Sequence, residues 1–238
     1  VGAFTANPII RNIIGQPKST FNIRQIMDEG KISLVNLSKG LIGEDNAAIL
    51  GSFLVTKIQL AAMSRSDIAN IEDRRPFYLY VDESQNFATD SFATILSEAR
   101  KYRLSLILAN QFMTQLTDQI REAILGNIGT IISGRIGITD AEILVKKFHP
   151  TFDTEDLTRL PNFQTIASVM IQNVPSAPFS MSLLPPLGKS NPQLRDALKR
   201  LSATKYGRPR AQVEKEFYER ISIGDEIKRQ KMEEMKRL

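Results

Sequence analysis

A short apolar segment that ends abruptly in two adjacent carboxylates constrains the fold of this chain more than any other feature. Residues 77–81 (Phe-Tyr-Leu-Tyr-Val) are all apolar or aromatic, which is typical of a buried β-strand, and Asp82 and Glu83 follow directly. Strands of this kind lie inside parallel sheets, and α/β proteins bind their ligands at the carboxyl-terminal edge of such sheets. The sequence therefore predicts two acids at a ligand-binding edge.

Strand and helix patterns alternate along the first 187 residues. The predicted strands are residues 31–37, 77–81, 104–109, 130–136 and 163–171. The predicted helices are residues 45–65, 91–102, 113–125, 140–148 and 154–160. This alternation predicts an α/β fold with a mainly parallel sheet flanked by helices.

A second polar group follows the next predicted strand. Asn110 and Gln111 come directly after residues 104–109, so we expect Gln111 close to Asp82 and Glu83 at one edge of the sheet. In nucleoside triphosphatases one carboxylate can hold Mg²⁺, a second can polarise water, and a glutamine can contact the γ-phosphate. The simpler alternatives, a solvated strand end and a loop amide, stay open.

The chain contains no G-x-x-x-x-G-K-[ST] phosphate loop, which supplies most triphosphate contacts in such enzymes. The nearest approximation is residues 15–20 (GQPKST), which lack the second glycine. Pro17 also removes a backbone N–H that the loop needs. We therefore expect a sheet that is incomplete at its N-terminal side, in a fragment of a longer protein, and negligible ATP hydrolysis by this chain alone.

Composition excludes several other kinds of site. The chain has no cysteine, which excludes disulfides, thiol nucleophiles and cysteine-ligated metals, and its single histidine, His149, excludes a multi-histidine metal site. No continuous apolar run approaches the ~20 residues that a membrane span needs. We therefore expect no membrane segment in this chain.

The charge balance changes after the Pro-Pro pair at residues 185–186. Residues 189–238 carry 14 basic and 8 acidic side chains, whereas the whole chain has a net charge of +5. We predict two domains, residues 1–187 and a basic, mostly helical or flexible tail at residues 188–238. A solvated tail and a tail that contacts DNA phosphates or docks on a partner remain alternatives, and residues 206–210 (Tyr-Gly-Arg-Pro-Arg) best fit DNA contact.

Several motifs together resemble one family. They are residues 31–43 (KISLVNLSKGLIG), 81–87 (VDESQNF), 97–103 (SEARKYR), 108–111 (LANQ), 126–130 (GNIGT) and 156–162 (DLTRLPN). In this combination they resemble the TraG/TraD-like coupling ATPases of type IV secretion and their relatives among the HerA/FtsK-type DNA pumps. The resemblance covers roughly residues 7 to 180.

The resemblance implies a RecA-like motor that forms a hexameric ring and moves DNA with ATP and Mg²⁺. By matching motifs, Asp82 would lie on the Mg²⁺ side, Glu83 would be the catalytic base, and Gln111 would sense the γ-phosphate. Arg100 would act on the site of a neighbouring subunit. Family members commonly carry a bulky apolar residue at the position of Ser84, so we expect looser packing beneath the acids here.

The expected partners follow from the same resemblance. They are DNA, bound through its phosphates without sequence preference, further copies of the chain in a ring, and type IV secretion components. The expected location is the cytoplasm, with attachment to the inner face of the cell membrane through a further N-terminal segment left open. The alternatives are a non-catalytic nucleic-acid- or protein-binding scaffold that keeps a RecA-like sheet, and a different motor such as a helicase.

Overall fold

The computed structural model describes residues 7–88 and 90–222, which form an α/β structure. The helices are α1 (Pro8–Ile14), α2 (Ile23–Glu29), α3 (Lys39–Ile42), α4 (Glu44–Met63), α5 (Asp90–Glu98), α6 (Asp118–Asn127), α7 (Ile138–Phe148), α8 (Thr154–Arg159), α9 (Pro192–Tyr206) and α10 (residues 210–222). The strands are β1 (Phe77–Val81), β2 (Leu104–Leu108), β3 (Ile131–Ser133), β4 (Gln164–Ser168), β5 (Met170–Ile171), β6 (Val174–Pro175) and β7 (Phe179–Ser182).

The chain divides into two compact units. Among the described residues, the first unit contains residues 7–22, 37–50 and 190–222, and the second contains the rest. In the first unit, α1 packs on α10. Ile10 and Val213 are buried, and the Arg11 guanidinium lies 5.5 Å from the ring centre of Phe217. The predicted division at residues 187 and 188 stays a prediction.

The second unit is organised around the parallel pair β1 and β2. The two strands align from Phe77 opposite Leu104 to Val81 opposite Leu108. One face of this pair packs on α2, α4 and α5 in the main hydrophobic cluster. The fully or nearly buried members of that cluster are Met27, Val55, Ile58, Ala62, Phe92, Ile95, Ala99 and Leu104. The opposite face is open, with Tyr80 73% exposed.

The predicted mainly parallel sheet is confirmed only for β1 and β2. In the described part of the chain, β3, β4 and β7 form a separate antiparallel sheet, and β5 and β6 form an antiparallel hairpin. Apolar periodicity identifies a strand, but it does not determine the neighbour or the direction of pairing, which depend on contacts distant in sequence. The predicted sheet is therefore wrong for the strands after β2.

The predicted strand at residues 31–37 is also wrong. This segment forms no strand in the described structure, and Ile32 and Leu34 are 90% and 87% exposed. A strand is stable only when a neighbour satisfies its backbone groups. The β-rich composition of the segment is real, but the described residues offer it no partner strand.

The expectation that no membrane segment is present stays a prediction. Within the described residues, the helix over Glu44–Asp67 is long and apolar enough to cross a membrane by length and composition alone. The segment contains no unbroken apolar run of that length, because polar residues such as Ser52 and Gln59 interrupt it, but its mean hydropathy is high. Val55 and Ile58 pack in the main cluster. A single helix of this kind is weak evidence for a span, because core helices pass the same test.

Candidate functional site

The candidate site lies at the carboxyl-terminal end of β1 and β2. The parallel ladder continues beyond both strands, because the Ala109 N–H donates to the Val81 carbonyl at 2.9 Å and the Ser84 N–H donates to the Ala109 carbonyl at 3.0 Å. These bonds hold the two chain segments together at the point where Asp82 and Glu83 leave the strand. The backbone that carries the two acids is therefore held by hydrogen bonds to the end of β2.

Glu83 is the centre of the polar contacts. Its backbone adopts the left-handed conformation with φ 51° and ψ 47°, which costs a residue with a Cβ roughly 1 kcal/mol or more. Its carboxylate accepts one hydrogen bond from the Gln111 side-chain amide and another, at 2.5 Å, from that of Gln85. The structure thus brings Gln111 into contact with Glu83, as neighbouring strand ends predict, while their catalytic roles stay predictions.

Asp82 lies beside this cluster with its side chain open to solvent. One carboxylate oxygen accepts the Glu83 N–H at 3.0 Å, and the residue is exposed. In the described part of the chain no group of three acidic, histidine or cysteine side chains gathers to hold a metal. Mg²⁺ is commonly bound by one or two carboxylates together with water and substrate phosphates. Asp82 therefore fits Mg²⁺ when phosphate oxygens complete the ligand set.

Ser84 lies beneath the acids, with its side chain completely buried. The looser packing expected from a serine at this position stays a prediction. The Ser84 hydroxyl donates a hydrogen bond to the Asn110 side-chain oxygen. The serine therefore links the two strand ends by a buried polar contact, in place of the apolar packing that a larger residue would give.

Replacing Ser84 with alanine should destabilise the chain by about 1–3 kcal/mol, because the Asn110 oxygen loses its donor in a partly buried place. Urea unfolding would measure the loss. The matched control is Ser97→Ala, whose exposed hydroxyl donates to the Thr94 carbonyl and should matter by less than about 0.5 kcal/mol. Equal losses of unfolding free energy in the two variants would show that the buried Ser84 contact stabilises the chain no more than an exposed one.

The loop after the acids is also held from the side of α4, and sequence reasoning missed this contact. Phe87 packs against Gly51, where an added Cβ would lie only 2.1 Å from the phenylalanine ring. A glycine in a helix interior costs about 1 kcal/mol relative to alanine, so its presence signals a close approach. Gly51 thus makes room for the residue that anchors the loop carrying Glu83.

Arg100 lies away from these side chains. It belongs to the 3-10 turn Ala99–Tyr102, which leads into the amino-terminal end of β2, whereas Asp82 and Glu83 stand at the carboxyl-terminal end of the parallel strand β1. Arg100 is exposed, and the nearby Arg103 forms an ion pair with Glu72. Within one chain Arg100 does not join the site, so its role on a neighbouring subunit stays a prediction.

Comparison with known families adds one finding. Residues 76–146 match the family described as the TraM recognition site of TraD and TraG. The matched segment contains Asp82, Glu83, Arg100 and Gln111. A comparison with curated proteins gave no match. The family match confirms the resemblance to the C-terminal part of a TraG/TraD-like coupling protein and supports involvement in conjugation.

Proposed function

We propose that this chain is the C-terminal part of the motor domain of an ATP-driven coupling protein that moves DNA in conjugative type IV secretion. The observation that carries the proposal is the contact between Glu83 and Gln111 at the carboxyl-terminal end of two parallel strands, inside the matched segment. Ligands of α/β proteins bind at this edge. The acid and the amide are the two groups that would orient an attacking water there.

The proposed site needs further parts from outside these residues. ATP would lie between subunits of a ring, with Asp82 on the Mg²⁺ side and Arg100 supplied by a neighbouring subunit. Bound Mg²⁺ would offset charge on the phosphate oxygens. Glu83, oriented by Gln85 and Gln111, would accept the proton of the attacking water.

The open face of the β1–β2 pair supports an incomplete RecA-like sheet. Parallel sheets are normally covered on both faces, yet Tyr78 and Tyr80 are 58% and 73% exposed. In the segment at residues 31–37, Ile32 and Leu34 are exposed in a similar way. We infer that a phosphate-loop half of the motor covers this face and pairs with this segment. The same half would supply the glycine-rich loop and its lysine.

The matched family also suggests a protein partner. Its description names TraM as the protein that TraD and TraG recognise. We propose that this chain contacts a TraM-type protein through residues 76–146 in addition to contacting DNA phosphates. Isothermal titration calorimetry of the whole chain with such a protein tests this contact. If no heat of binding were measured at protein concentrations well above the dissociation constants of ordinary protein complexes, the proposed contact would be contradicted.

The purified 238-residue chain should hydrolyse ATP negligibly, because Asp82 and Glu83 alone provide two like charges and no phosphate cradle. A gene product extended to include a phosphate loop should hydrolyse ATP in the presence of DNA. Phosphate release by both proteins, with and without DNA, measures the difference. Turnover by the short chain would contradict the prediction, and an inactive extended protein that still binds DNA would favour the scaffold alternative.

A further inference from the structure

Helix α9 (Pro192–Tyr206) is well formed although none of its residues is buried. The Asn191 side chain accepts the Leu194 N–H at 2.9 Å at its start, and the Gly207 N–H donates to the Ala203 carbonyl at 2.8 Å at its end. These local caps hold the helix ends without tertiary packing. The helix therefore presents its whole side-chain surface outward in the described structure.

One side of α9 is a narrow apolar stripe. Leu194, Leu198 and Leu201 recur at the i, i+4 and i+7 spacing that places side chains on one face of a helix. They are 55%, 50% and 63% exposed, which is unusual for three leucines in a row on one face. Ala197 lies at the edge of the same stripe by helical spacing. An exposed apolar stripe of this kind is typical of a surface that binds another molecule.

Basic residues border the stripe. By helical spacing Arg195 lies on one flank and Arg200 on the other, Lys199 lies on the far side of the helix, and Lys205 ends the stripe near its C-terminus. The one acidic residue of the helix, Asp196, lies on the opposite side and pairs with Arg195 at 2.9 Å. The stripe is therefore bordered by one arginine on each side, and the helix as a whole carries four basic residues against one acidic residue, which is bound to Arg195.

This charge pattern selects among the possible occupants. Pairing with α9 of a second copy would bring basic flanks against basic flanks, and like charges at short range repel. DNA would match the charges, but it offers no apolar surface for the leucines. An anionic lipid surface matches both features: leucines enter the acyl boundary while Lys and Arg reach the headgroups. We propose that α9 binds an anionic membrane surface and lies in its plane.

The test uses the whole chain in flotation with phosphatidylcholine vesicles, with and without phosphatidylglycerol. The chain should float only with the anionic vesicles, and added salt should weaken this binding. Leu198→Glu should reduce the partition coefficient by about tenfold or more, because it places a charge in the apolar stripe. The matched control is Ala203→Glu, which adds the same charge to the opposite, exposed side and should change binding by less than about threefold.

Three outcomes would overturn the proposal. One is absence of flotation with anionic vesicles. The second is an equal loss in the Leu198 and Ala203 variants whose helix content, measured by circular dichroism, is unchanged. The third is light scattering that shows self-association of the chain, lost in Leu198→Glu, without lipid binding. None of these measurements uses ATP, so the proposed membrane contact is tested independently of the proposed motor function.

Discussion

If Glu83 is the proposed catalytic base, replacing it with glutamine in a longer gene product that includes a phosphate loop should lower kcat for ATP hydrolysis about 10²- to 10⁴-fold. The amide keeps the size of the side chain and can still bond to Gln85 and Gln111, but it cannot accept the proton of water. ATP affinity should change little, because phosphate contacts come mainly from the glycine-rich loop. Steady-state phosphate release and equilibrium nucleotide binding measure the two effects separately.

The control for this prediction is Glu142→Gln. Glu142 lies on α7 within the matched segment, but it is exposed and distant in sequence from the strand ends. Its variant should retain the parental kcat within about twofold. If the Glu83 variant and the parental protein hydrolysed ATP at equal rates, Glu83 would not be the catalytic base.

The largest expected effect on stability belongs to a buried arginine. The Arg65 side chain is completely buried and donates to the carbonyl of Tyr102 at 3.0 Å and to that of Arg75. Its Nε lies 3.0 Å from an Asp28 carboxylate oxygen. Burial lowers the pKa of Arg65, and Asp28 opposes that shift. The guanidinium thus joins α2, the end of α4 and the amino-terminal ends of β1 and β2.

Arg65→Met should destabilise the chain by about 3 kcal/mol, because it leaves two partly buried carbonyls without a donor and Asp28 without its buried partner. Chemical denaturation followed by circular dichroism measures the loss. Arg24→Met is the matched control, since Arg24 also pairs with Asp28 but near the surface, and should cost about 1 kcal/mol or less. If both variants lost the same free energy, the buried contacts of Arg65 would carry no extra stability.

Local patterns predicted the parts of the fold that depend on neighbouring residues. The long helix at residues 45–65 corresponds to α4 (Glu44–Met63), and the strands at residues 77–81 and 104–109 correspond to β1 and β2. The connection between those strands is helical, which explains why their parallel pairing was also predictable. The pairing of β3 with β4 was not predictable, because two helices and a turn separate them and periodicity carries no information about partners.

The acids and the amide of the site could be predicted from the sequence, but the contacts that hold the surrounding backbone in place could not. Contact between Glu83 and Gln111 follows from adjacent strand ends. The buried hydroxyl of Ser84 and the space that Gly51 leaves for Phe87 depend on packing across the second unit, which no local pattern encodes. Arg65 was missed for a related reason: charged residues are almost never fully buried unless paired, and its pairing is visible only in three dimensions.

We propose that Asp82 and Glu83 are the acidic half of a nucleotide site whose phosphate loop lies in a preceding segment. The gene sequence immediately upstream of the Val1 codon is the decisive measurement. We expect an open reading frame that continues upstream through a strand pattern and a G-x-x-x-x-G-K-[ST] loop. A stop codon followed by a genuine start at this position would contradict it, and the acids would then belong to a non-catalytic scaffold.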